Sequence, residues 1–211
     1  MGLGPAQNGA VRVPGSVRFF DAQFRRQLAA GDLALNPFEL ATLPHLRGLV
    51  LDAGCGLGNL SVAAAERGCS VLALDASESA MAHLRAVAEA RGLPIRARCA
   101  DLREYEPPPR AFDAVVAIGL LMFFDCPSAE RLLAWLLAAV RPGGVAALNV
   151  LIEGTTFLDV FGGDAHCLFG RDELARAVAG WHVIEQRFDE FDAPGCRRKC
   201  FSTVIARRTA P

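Results

Sequence analysis

Leu49-Val50-Leu51-Asp52-Ala53-Gly54-Cys55-Gly56-Leu57-Gly58-Asn59 decides how this chain is read. Three apolar residues run into an acid, glycines follow at 54, 56 and 58, and an apolar run (Leu60, Val62, Ala63, Ala64, Ala65) takes over. That order predicts a buried strand, a tight turn and the start of a helix. Glycine adopts positive φ without strain and lets a ligand approach the backbone. A turn that opens a helix also aims N–H groups at whatever sits there. The stretch therefore predicts a ligand seat between a strand end and a helix start. The plain structural alternative is an ordinary glycine-rich turn.

The dinucleotide fingerprint G-x-G-x-x-G would need a third glycine at residue 59, where Asn59 stands. An NAD-type oxidoreductase is disfavoured on that ground. A second apolar run, Ser70-Val71-Leu72-Ala73-Leu74-Asp75, also ends in an acid, 23 residues after Asp52. At that spacing α/β nucleotide sites place a carboxylate on a ribose, whose two hydroxyls can both donate to it. A third run ends in Cys99-Ala100-Asp101-Leu102.

Asp52-x-Gly54-Cys55-Gly56-x-Gly58 resembles motif I of the class I S-adenosylmethionine (SAM)-dependent methyltransferases. With the acids at the next two strand ends, the resemblance spans roughly residues 46 to 208. It implies SAM as cofactor and S-adenosylhomocysteine as product. Asp52, Ala53, Gly54, Cys55, Gly56, Gly58 and Asn59 would form the first part of the cofactor site. Asp75 and Ala76 would face the ribose, Asp101 and Leu102 the adenine, and Ile118 and Gly119 would close the seat.

Composition bounds the rest. A chain of 211 residues suits one domain, and 52% hydrophobic with 21% charged residues supports a sizeable core. The expected division is a flexible tail over 1–15 and a single domain over 16–211, with a helical cap over 16–45 and a SAM-binding core over 46–211. A net charge of −1 offers no basic field for nucleic acid. No apolar run approaches the ~18 residues a membrane span needs, and the start lacks the charged and apolar blocks of a secretory signal. Seven cysteines, an odd count with no C-x-x-C pair, argue against a disulfide framework or a zinc site and fit a reducing cytoplasm. No metal is expected.

Along the chain, Phe20, Phe24 and Leu28 recur at helical spacing within Val17 to Ala30, and Asn36-Pro37 opens a short helix. These two helices either cover the cofactor or pack on the sheet edge. From residue 48, strands and helices alternate: strands at 48–53, 70–75, 95–99, 112–119 and 145–152, helices at 58–68, 77–91 and from Ser128 to Val140. That repetition demands a parallel sheet covered on both faces, with the ligand at the strand carboxyl ends. A Gly-rich stretch from Glu153 to Phe169 is long enough to be functional. A helix at Arg171–Ala179 and strands at 181–191 and 199–207 would complete a Rossmann-like, seven-stranded, mostly parallel α/β sheet with an antiparallel C-terminal strand.

Phe112 to Val116 running into Leu121-Met122-Phe123-Phe124, then Arg141-Pro142-Gly143-Gly144 and the closing Phe201 to Arg207, is similar to the tellurite-resistance branch of the family. That branch carries a His-Arg segment between its last strands, and here Asp192 to Lys199 has no His. A sulfonium methyl is already activated, so catalysis rests on alignment and water exclusion, and a soft anionic nucleophile needs no base. The expected function is methyl transfer to a small molecule, such as a thiol, selenite or tellurite, with a small O- or N-acceptor as the alternative. A non-catalytic SAM-binding regulator is the alternative of another class. Arg198 and His166 are the candidates for contacting the acceptor, each with a plain structural role as the alternative. Phe20, Phe24, Met122, Phe123, Phe157 and Phe169 are expected to form a dry substrate pocket. Cys126, Cys167, Cys196 and Cys200 read as structural cysteines rather than a thiolate cluster.

Overall fold

The structure, a computed structural model, describes residues 15–210. The expected tail over 1–15 thus lies, except for Gly15, outside the described residues.

Seven strands form one sheet: β1 (Leu49–Ala53), β2 (Ser70–Asp75), β3 (Ile95–Cys99), β4 (Phe112–Ile118), β5 (Val140–Leu151), β6 (His182–Ala193) and β7 (Arg197–Arg207). Their order is β3-β2-β1-β4-β5-β7-β6. The β1, β2, β3, β4 and β5 pairings are parallel, while β7 lies antiparallel between β5 and β6. Helices α3 (Asn59–Glu66), α4 (Glu78–Arg91) and α5 (Cys126–Ala139) make the crossovers that parallel strands require. Alternate residues of each strand enter separate cores. Leu51, Val115 and Leu148 pack with Leu132 and Leu136 of α5 on one face. Val50, Val71 and Val116 pack with Leu60 of α3 and Leu84 of α4 on the other. Chain direction across the sheet reverses between β1 and β4, so the crevice at their carboxyl ends is the place this topology leaves for a ligand.

Two N-terminal helices cross that edge: α1 (Gly15–Ala30) and α2 (Pro37–Thr42). Asn36 caps α2 in a reciprocal capping box with Glu39. Ser77 and Ser79, at the start of α4, donate to Asp21 and hold α1 over the β2 end. The amide of Ser16 donates to Asp164 and ties the start of α1 to the 153–169 segment.

Local boundaries differ from the sequence expectations in four places. Asp125, not Ser128, caps α5: its side chain accepts the Ser128 amide at 3.0 Å, and Pro127 fits the first turn. The expected helix over 171–179 contracts to α6 (Glu173–Ala177). The last two strands run to Ala193 and from Arg197, so the turn tightens around Gly195 and Cys196, both at positive φ. β5 starts at Val140, paired with Phe112 across a register shift.

The larger correction concerns cysteine. Cys126 and Cys167, 41 residues apart, form a disulfide. The fold lays the 153–169 segment on the connection into α5, where the Cys167 amide donates to the Met122 carbonyl at 3.1 Å. The two Cα atoms then stand 4.8 Å apart, within bridging range. Such a pairing across distant segments is not visible in cysteine spacing.

Candidate active site

The carboxyl edge carries a cavity of about 1040 Å3, walled by the ends of β1, β2 and β4, by α1, and by the 153–169 segment. Gly54, Gly56 and Gly58 all have positive φ. A Cβ at Gly58 would stand 2.4 Å from Leu84, and one at Gly54 2.7 Å from Leu120, so glycine is required there for packing. At Gly56 the neighbour is the Phe24 ring of α1, 3.1 Å from a built Cβ. The Phe24 ring of the N-terminal helix therefore packs closely over the glycine turn.

Asp75 organises the turn. Its carboxylate accepts the Gly56 amide at 2.9 Å and the Ser77 amide at 2.8 Å. Burial pushes its pKa up, and those amides pull it partly back. Asp52 is more strongly perturbed. It is 5% exposed and accepts Ser61 Oγ at 2.6 Å. Burial drives its pKa up to about 7, the Ser61 hydroxyl opposes that, and the Glu39 and Asp75 carboxylates add to it. The Cys55 thiol is pushed up by burial and by the same two aspartates, which keeps it protonated and unreactive. Asp101 is held low by the Arg103 guanidinium, which forms a fork on both carboxylate oxygens.

Of the expected cofactor residues, Asp52, Gly54, Cys55, Gly56, Asn59, Asp75, Ala76, Asp101, Leu102, Ile118 and Gly119 line the cavity. Ala53 and Gly58 stand behind the wall, Ala53 fully buried and Gly58 against Leu84. Of the expected pocket, Phe20, Phe24, Met122, Phe123 and Phe157 line it, with Phe20 edge-on to Phe123 at 5.1 Å. Phe169 does not: it is wholly buried in the main core, because its backbone pairs with Leu151 and Glu153 and turns the ring under the sheet edge. His166 lies off the lining, stacked on Phe161 at 4.2 Å with Nδ1 on the Asp164 carbonyl. Arg198 is exposed, donating to the Gly154 carbonyl and paired with Glu190 on the neighbouring strand. The strand period aims it away from the cavity.

That same period brings in residues the sequence reading missed. Asn149 and Leu151 of β5 pair with Thr203 and Phe201 of β7, and Lys199 follows on the same face. Asn149, Leu151, Phe201 and Lys199 all line the cavity. Asn149 donates to Thr203 at 2.9 Å, while its Oδ1, wholly buried, accepts no hydrogen bond. The legible signal was an amide set inside an otherwise apolar strand.

Comparison with known proteins agrees with this geometry. Residues 50–144 match the family model described as a methyltransferase domain. A ubiquinone biosynthesis O-methyltransferase of Coxiella burnetii is 35% identical over 114 residues, covering 52% of this chain and 48% of that protein. The chain spans about half the length of the curated relatives it matches. In structure it resembles TehB from Haemophilus influenzae, with a TM-score of 0.74, 19% identity, and coverage of 87% of this chain and 65% of that one. It also resembles the Burkholderia thailandensis 1,6-didemethyltoxoflavin-N1-methyltransferase, solved with its substrate and S-adenosylhomocysteine. There the TM-score is 0.66 and the identity 22%, over 96% of this chain and 93% of that one. Residues 50–144 thus match a methyltransferase domain, and the sheet around them has the fold of these solved structures.

Proposed function

We propose that this protein transfers a methyl group from SAM to a small organic acceptor. The observation that carries the reading is Asp75, whose carboxylate lines the cavity and accepts one amide of the glycine turn, Gly56, and the Ser77 amide at the start of α4. The dinucleotide alternative is disfavoured by Asn59, which stands where the third glycine of a pyrophosphate turn would be. A ribose diol donates to just such a carboxylate. Around it acids outnumber bases in the lining, with Glu39, Asp52, Asp75, Asp101, Asp125 and Asp164 against Lys199 and Arg103, the latter already taken by Asp101. That field suits a cofactor bearing a sulfonium and an ammonium and opposes NAD.

SAM, when bound, supplies a methyl that is electrophilic without further activation. The protein's part is to hold and dry the site. Asp75 and the glycine turn fix the cofactor's nucleoside end, and Asp52 lies where a cationic group can hold it ionised. Phe20, Phe123 and Phe157 exclude water from the acceptor end, which supports in-line displacement. The aromatic wall favours an organic acceptor with an ionisable O–H or S–H over a bare oxyanion such as tellurite. His166 and Arg198, the residues expected to grip such an anion, lie off the lining.

Turnover of labelled SAM against phenols, catechols, thiols, amines, selenite, tellurite and tRNA tests the reading. Methylation of an organic phenol or thiol is the expected result. Turnover confined to tellurite, or to tRNA, refutes the acceptor assignment. SAM binding without any turnover points to a regulator instead.

A further inference from the structure

We propose that the acceptor carries an anionic group and that Lys199 holds it at the outer end of the pocket. The inference rests on the methyl-transfer reading and names the class of molecule that the site takes.

Lys199 is the single lysine of the chain. It lies half-buried on the cavity wall, its Nζ 5.0 Å above the Phe157 ring. The neighbouring cations are all engaged by carboxylates. Arg197 forms a two-pronged pair with Asp159 at 2.7 and 2.9 Å. Arg198 pairs with Glu190, Arg187 with Glu185 and Asp189, and Arg103 with Asp101. Among the described residues, no carboxylate pairs with Lys199. Two acids in the lining on this side are committed elsewhere: Asp164 accepts the Ser16 amide, and Asp125 caps α5. An ammonium over the Phe157 ring on the cavity wall, with no carboxylate paired to it, offers a bound anion a charge-assisted hydrogen bond.

The strand period sets the dimensions. Lys199, Phe201 and Thr203 share one face of β7, and Thr203 meets Asn149 at the inner end. Four residues of extended chain put Lys199 roughly 13 Å beyond Thr203. Phe201 and Phe157 lie between, on the surface a flat ring would cover. The geometry describes an aromatic molecule with its nucleophile inward and its negative charge outward.

The test is calorimetry on the full chain saturated with S-adenosylhomocysteine. The probes are 4-hydroxybenzoate, 3-hydroxy-2-naphthoate and indole-3-acetate, each against its neutral primary amide. At least one acid should bind about tenfold or more tightly than its amide, the factor a charge-assisted hydrogen bond provides. Lys199→Met should bring that pair within about twofold while S-adenosylhomocysteine binds as before, and Lys199→Arg should keep most of the preference. The proposal is overturned if no pair shows the preference, or if Lys199→Met retains it. Failure of S-adenosylhomocysteine itself to bind overturns the cofactor reading, and the acceptor inference falls with it.

Discussion

Asp52 and Asp75 end adjacent strands and face one cavity, but they differ in how their charge is satisfied. Asp75 has two backbone amides, whereas Asp52 has one serine hydroxyl and two carboxylate neighbours. Asp52 therefore keeps a proton in the folded protein up to about pH 7 that it releases near pH 4 when unfolded. Its contribution to stability is present below the unfolded value and is lost as pH rises towards 7. Asp52→Asn should remove that loss and make the protein more stable at pH 8 by on the order of 2–4 kcal/mol. Urea midpoints at pH 5 and pH 8 measure it, and an unchanged difference between the two pH values would count against the assignment. Because the cofactor is cationic, its binding should expel this proton. SAM affinity should then rise by up to about tenfold per pH unit between pH 5 and 7, and level off above. Asp75→Ala should cost about 1.5–3 kcal/mol of cofactor binding at pH 8, the worth of hydrogen bonds to a charged group. A loss below half a kcal/mol by calorimetry would place the ribose elsewhere.

Among the elements, α1 and the 153–169 segment act as one cover. They are joined through Ser16 and Asp164, and Phe20 reaches across to Phe123. Hydrogen exchange in both should slow together when S-adenosylhomocysteine binds. Protection confined to residues 54–59 would mean that neither closes over the cofactor. The Cys126–Cys167 bridge anchors one end of that cover beside Met122. A loop of this length predicts about 2–4 kcal/mol of stabilisation from the crosslink. Cys126→Ser should lower the unfolding free energy by that amount and raise exchange in 153–169 before it raises exchange in β4. If the variant melts like the parent, the bridge contributes nothing in solution.

For the whole molecule, the cavity joins the ends of β1, β2 and β4 to the N-terminal helices and the C-terminal strands. A ligand there should stabilise the protein as one unit. S-adenosylhomocysteine at a hundred times its Kd adds about 2.7 kcal/mol. For a chain of this size that amounts to a rise of roughly 5–11 °C in Tm. NAD at the same multiple of the S-adenosylhomocysteine Kd should give no rise, and an equal rise would reverse the choice of cofactor.

The sequence by itself determined the α/β sheet and the position of its crevice. Both follow from short-range rules: apolar runs ending in acids, glycines where positive φ is needed, and helices between parallel strands. The same rules put Asp75 and the turn around Gly56 at the strand ends, where the cavity lies. Tertiary structure decided whatever depends on which side of a strand or loop faces inward. Arg198 and Lys199 are neighbours in sequence, and a period of two sends Lys199 to the cavity and Arg198 to Glu190. Phe157 and Phe169 lie in one Gly-rich segment, yet backbone pairing with Leu151 and Glu153 buries only Phe169 in the core. Cys126 and Cys167 meet because the chain folds a cover back onto α5, a contact between segments that no local pattern encodes.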